Sequence, residues 1–159
     1  MDEAHLSIDA PAEAVYDLVA DITNMGRWSP ETYKTAWVSD ATEPVPGARF
    51  KGWNRASVLG FPMRWTTTSV IRQADRGRAF GFDVPFSGTR WTYRFEPSAD
   101  GASCTVSETR ELVNGPIATR VMTAALGSIR TPQIVKGIEV TLERLKAAAE
   151  TDAAPDPAR

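Results

Sequence analysis

Hydrophobic residues along the chain switch between two periods, and the switches mark its elements. His5 to Asp9 (HLSID) alternate, with Leu6 and Ile8 on one side of a short strand. Asp9-Ala10-Pro11-Ala12-Glu13 then offers a capping Asp, a proline suited to a first turn and an acid near the positive helix end. Val15, Leu18, Val19 and Ile22 form one apolar helix stripe. Thr23 and Asn24 can restart a second short helix, which Pro30 ends by pushing the residue before it away from helical angles.

From about residue 33 the period becomes two. YKTAWVS, ARFKGWNRA and FPMRWTTTSVIR read as strands, broken at TEPVPG and around Leu59-Gly60. GRAFGFDVPF and TRWTYRFEP follow, joined near Ser87-Gly88, and SCTVSETREL comes after the SADGA turn. The helical period then returns. Asn114-Gly115-Pro116 opens one segment to about Ile129, and Thr131-Pro132 opens another to about Glu150. In the second, Ile134, Ile138, Leu142 and Leu145 share a face, continued by Ala148. This order fits an antiparallel meander with one buried face, covered by the terminal helix.

Alternation also sorts side chains by face. Phe80, Phe82, Val84 and Phe86 fall on one side, as do Trp91, Tyr93 and Phe95 in the next strand, and Met63, Trp65 and Ile71 agree. These rings either fill a core against the helix or line a pocket for an apolar or aromatic ligand. In SCTVSETREL, Cys104, Val106 and Leu112 mark the buried side, and their parity places Glu108 and Arg110 there too. Charged groups on an apolar face must be paired or hydrated. The two either pair with each other, reach solvent at a strand end, or serve as polar handles of a pocket. Phe50 and Asn54 share a parity, so Trp53 points outward or Gly52 forms a bulge, and Asn54 is a further polar pocket candidate.

Composition narrows the chemistry. The 159 residues, 42% hydrophobic and 24% charged, suit one domain, here 1–150, followed by the Pro- and Asp-containing tail 151–159 read as disordered. A net charge of −2 gives no long-range attraction to nucleic acid or to an anionic membrane. No apolar run approaches membrane-spanning length, and the polar N-terminus does not read as a signal peptide. The single cysteine, Cys104, allows no intramolecular disulfide and suits a reducing cytoplasm, where it reads as an inert core thiol. One histidine, His5, leaves no base for a serine triad and no common zinc site, and no glycine-rich phosphate loop is present. We therefore expect no cofactor. Arg27-Trp28, Arg64-Trp65 and Arg90-Trp91 could suggest base stacking, but strand neighbours face opposite ways, so amphipathic strands explain these pairs better.

The segments IDAPAEAVYDLVADITNMGRWSPE, GARFKGWNR, RGRAFGFDV, WTYRFEP and TVSETREL resemble the START-like (SRPBCC) superfamily, and within it bacterial members of polyketide cyclase/dehydrase type. The resemblance spans about residues 4–148. It implies an α+β helix-grip fold: a curved seven-stranded antiparallel sheet around a long C-terminal helix, with two short helices after the first strand. It also implies a cavity between sheet and helix. Its wall would take Trp65, Phe80, Phe82, Trp91 and Tyr93 from the sheet, Met122 and Leu126 from the first helical segment, and Ile134 and Ile138 from the last. Trp28 would stand at the rim. The Thr131-Pro132 break departs from a continuous grip helix and suggests that 116–129 form a gate. Two functions follow as expectations: a carrier or sensor of a lipid, polyketide or aromatic metabolite, or a cyclase/dehydratase. In the second, Glu108 would act as base, Arg110 would stabilise an enolate and Tyr93 would donate a proton. A chaperone-like role and the oligomeric state are left open by the sequence.

Overall fold

In a computed structural model, the alternating segments form one antiparallel sheet. The structure describes residues 1–113 and 117–153, except for the side chains of 58, 117–130 and 152–153. The elements are β1 (Asp2–Ile8), α1 (Ala12–Ala20), a 3₁₀ turn (Ile22–Asn24), α2 (Met25–Trp28), β2 (Thr32–Trp37), β3 (Arg49–Val58), β4 (Phe61–Asp75), β5 (Ala79–Val84), β6 (Thr89–Pro97), β7 (Cys104–Leu112) and α3 (Ile117–Ala153). The seven strands lie in the order β1-β7-β6-β5-β4-β3-β2. Consecutive strands from β2 onward form a meander, and β1 joins its far edge by pairing with β7.

Residues of one parity face inward and form the core. Ile8, Phe50, Ile71, Phe80, Phe82, Phe95 and Val106 from the sheet meet Ile138, Leu142 and Leu145 of α3 in one buried cluster. Burying such side chains stabilises by about 1.5–3 kcal/mol each. Helix α1 closes one end of the sheet, with Tyr16 set edge-on to Phe80 and Phe95 at 6.3 and 5.7 Å between ring centres. Between β3 and β4 the chain reverses at Leu59-Gly60. Both residues have positive φ, 54° and 83°, which is the backbone of a tight two-residue hairpin.

Several expectations change. The break at Thr131-Pro132 does not divide the helix: α3 is continuous from Ile117 to Ala153, with Pro132 inside it. Proline there removes only one i→i−4 bond, which a 37-residue helix anchored along its last turns can absorb. The helix also runs three residues past the boundary expected at 150, and 154–159 lie outside the described residues. Ala149, not Ala148, is the fully buried small residue in its final turns. Asp9 does not cap α1, because the cap position falls on Pro11, which has no side-chain cap bond. Asp9 instead donates its backbone N–H to Glu150 Oε1 at 2.9 Å, tying the β1 exit to α3. Asp21 provides the capping lower down, accepting from the Thr23 N–H at 3.1 Å. Phe86 and Met63 are exposed despite their parity. Phe86 lies in the turn beyond Val84, and Met63 lies on a length of β4 that projects past the end of β5.

Candidate functional site

The inner face carries a polar pair deep among its rings. Tyr93 on β6 and Glu108 on β7 are direct cross-strand partners, so both side chains leave the sheet on the same side. Phe80 stands opposite Tyr93 on β5, and Ala4 opposite Glu108 on β1. The Tyr93 hydroxyl donates to Glu108 Oε1 at 2.7 Å. Glu108 is only 3% exposed, and its second oxygen, Oε2, has no hydrogen-bond partner among the described residues. Burial pushes the Glu108 carboxyl up to about 8, against a smaller lowering from the Tyr93 hydrogen bond. Burial first, and then the neighbouring carboxylate, raise the Tyr93 phenol well above its ordinary value. At neutral pH the pair is therefore a neutral acid held by a neutral phenol. An unpartnered buried polar atom costs about 1–3 kcal/mol.

Arg110 does not pair with Glu108, contrary to one of the alternatives read from the sequence. It reaches across the edge of the sheet to Asp2, its register partner on β1, at 2.7 Å, and both side chains are largely buried. Asp2 was missed because the strand read from the sequence begins at His5. Extending the Leu6–Ile8 parity upstream through Ala4 reaches it. Trp91 lies beside Arg110 in the register and is half-buried, and Phe82 follows it on β5.

The remaining expected residues fall into three groups. Phe80, Phe82, Trp28 and Ile138 are buried, Ile134 is partly so, and all five belong to or pack on the core. Trp28 sits at the end of α2, its carbonyl accepting from Arg144 Nη1 at 3.2 Å and the Arg27 guanidinium 4.7 Å from its ring. Its indole Nε1 is buried and has no hydrogen-bond partner among the described residues. Helix α2 approaches β2 so closely at Gly26 that a Cβ there would lie 2.7 Å from the Tyr33 carbonyl. Asn54 and Trp65 pair across β3 and β4 on the inner face. Asn54 is already engaged, accepting from the Thr32 hydroxyl at 2.7 Å and donating to Thr67 Oγ1 at 3.2 Å. Trp53 points outward without a bulge at Gly52, since β3 and β4 pair in continuous register there. Met122 and Leu126 lie on α3 with their side chains outside those described, and of the gate assigned to 116–129 only the helical backbone of 117–129 is described. Cys104 is buried, with its thiol pushed up by burial.

Two surface clefts of about 430 Å³ each lie elsewhere, one beside Arg76–Arg78 and one beside Thr42–Val45. Neither is lined by Tyr93, Trp91 or Glu108, and both open broadly to solvent. The buried pair is the better candidate, because it combines enclosure with an unmet polar atom. Among the described residues, no helix is long and apolar enough to cross a membrane.

Comparisons with known proteins agree with this architecture. The chain is 30% identical to the Polyketide_cyc-like protein Cgl2372 from Corynebacterium glutamicum, covering 99% of this chain and 95% of that one, with a TM-score of 0.60. It is 25% identical to BexL, a di-domain ARO/CYC protein of the BE-7585A biosynthetic pathway, at a TM-score of 0.55. The fold is also shared with StfQ, the di-domain ARO/CYC of the steffimycin pathway, at 18% identity and a TM-score of 0.63. The matches cover 98% and 96% of this chain but only 48% and 45% of those two larger chains. No curated protein matches. The model of the family described as polyketide cyclase/dehydrase and lipid transport matches residues 3–150. With a seven-stranded sheet closed by one long helix and nearly the whole chain matched, the protein belongs to the polyketide cyclase/dehydrase and lipid transport family, within the START-like superfamily.

Proposed function

We propose that the protein binds a small hydrophobic molecule, such as a lipid, polyketide or aromatic metabolite, against the inner face of its sheet. The observation that carries this reading is Glu108 Oε2, buried beside Tyr93 and without a hydrogen-bond partner among the described residues. A carboxyl raised to about 8 is protonated at neutral pH, so it offers a proton to a ligand acceptor instead of a charge to a cation. Trp28 Nε1, also buried and unpartnered among the described residues, is likewise a donor. Both favour a ligand that brings acceptor oxygens into an apolar setting: a ketone, ester or quinone in preference to an amine or a bare hydrocarbon.

The test compares a fluorescent naphthyl ketone with its alkyl naphthalene analogue as probes. Wild type should bind the ketone more tightly, by about fivefold to tenfold for one buried hydrogen bond. Glu108→Gln, which keeps a donor, should retain most of that preference, and Glu108→Leu should lose it. Equal binding of both probes by wild type would sink the assignment.

A second reading, cyclase or dehydratase chemistry, is favoured by the 2.7 Å Tyr93–Glu108 contact, which couples two proton-bearing groups. In this reading Glu108, once ionised, takes the proton alpha to a ligand carbonyl. Tyr93 returns a proton to the departing oxygen, and Arg110 stabilises the enolate. The charge Arg110 can offer is already compensated by Asp2, which weakens this last role. Glu108→Gln should abolish turnover of a model poly-β-ketone while leaving its binding intact. Unchanged turnover would remove Glu108 from the chemistry.

A further inference from the structure

The hairpin of β3 and β4 carries two features that the inner-face site does not use. Its tip is apolar and uncovered: Leu59, Phe61 and Met63 are 66%, 72% and 50% exposed. The tip stands clear of the sheet, since β4 begins at Phe61 but pairs with β5 only from Val70 onward. Behind it, the outer face is cationic. Arg55 and Arg64 are direct cross-strand partners, an arrangement of like charges that destabilises a sheet pair unless an anion lies between them. Lys34 and Lys51 flank the Trp53 ring on that face, their Nζ atoms 4.9 and 5.2 Å from its centre. Among the described residues none of these four cations has an acidic partner.

We propose that this hairpin docks the protein on an anionic lipid surface. Leu59, Phe61 and Met63 enter the acyl boundary, while Arg55, Arg64, Lys34 and Lys51 meet the headgroups with Trp53 among them. Back from the tip the register runs from apolar side chains to the Arg55–Arg64 pair and then to Trp53 with its two lysines, so apolar groups lead and basic groups follow, as across a bilayer interface. Charge complementarity selects this occupant: a neutral protein surface would leave the Arg55–Arg64 repulsion unrelieved, and anionic headgroups relieve it. The net charge of −2 does not oppose the contact, because attraction at the surface acts within about 8–10 Å at physiological salt. The inference stands apart from the ligand reading, since it uses no inner-face residue of the Tyr93–Glu108 pair.

The test is flotation of the full chain with vesicles of phosphatidylcholine alone and of phosphatidylcholine mixed with about one-third phosphatidylglycerol. Wild type should float with the mixed vesicles at low salt, not with the neutral ones, and should release as salt rises. Arg55→Gln with Arg64→Gln should weaken binding by about thirtyfold, and Phe61→Asp with Met63→Asp should remove it. Near-ultraviolet circular dichroism should be unchanged in both variants, because all four side chains lie outside the core, and the salt titration of wild type needs no variant at all. Absence of flotation at low salt would overturn the proposal. So would binding indifferent to both double variants, a dimer dissolved by Phe61→Asp with Met63→Asp in place of vesicle binding, or retention of a single-stranded oligonucleotide in place of vesicles.

Discussion

Glu108 sits where a carboxylate is least favoured, and its energetics follow from that. Its folded value of about 8 lies above its ordinary 4.5, so the folded protein holds this proton more tightly than the unfolded chain. The contribution is fully present below about pH 4.5 and is lost as pH rises towards 8. We expect the thermal midpoint of wild type to fall across that interval, by an amount worth roughly 3–5 kcal/mol. Glu108→Gln should flatten the profile there, and scanning calorimetry against pH checks both. Tyr93→Phe should lower stability by about 1–3 kcal/mol, since it leaves Glu108 Oε1 without its donor as well. The position of Glu108 was legible from the sequence, because Cys104 and Val106 set the parity of its strand. Its partner was not. Alternation says which face a side chain takes but not which neighbouring strand lies beside it, so pairing with Tyr93 and of Arg110 with Asp2 appeared only with the register.

At the scale of elements, the sheet was easier to read than the helices. Strand periods survive because one face is buried along most of the meander, and the turn residues at Leu59-Gly60 and Ser87-Gly88 punctuate them. Where burial stops, parity stops being informative, as Met63 and Phe86 show. The helical misreading has a local cause. Pro132 is a start signal by local chemistry, yet the anchored helix runs through it. Replacing it should therefore stabilise: Pro132→Ala restores a backbone donor and should add about 1–3 kcal/mol in denaturant unfolding. The anchoring itself lies further along. Ile138, Leu142 and Leu145 are almost wholly buried, and Leu145→Ala should cost about 2–5 kcal/mol in the same measurement. A loss near zero would mean that the last turns of α3 do not hold the sheet.

For the molecule as a whole, an antiparallel sheet wrapped against one helix leaves its inner face to be shared between core and site. The core is complete at the α1 end, where Tyr16, Phe80 and Phe95 close against one another. Among the described residues, Glu108 Oε2 and the indole Nε1 of core Trp28 are donors that the core leaves unmet. Membership of a family described as polyketide cyclase/dehydrase and lipid transport is consistent with a bound hydrophobic molecule. The most direct measurement is native mass spectrometry of the purified protein, with release and identification of any retained molecule. Wild type should carry a noncovalent adduct of an apolar molecule bearing acceptor oxygens, kept by Glu108→Gln and held several-fold more weakly by Glu108→Leu. A protein that carries nothing and takes up neither naphthyl ketone nor lipid, or an adduct equally held by Glu108→Leu, would contradict this reading.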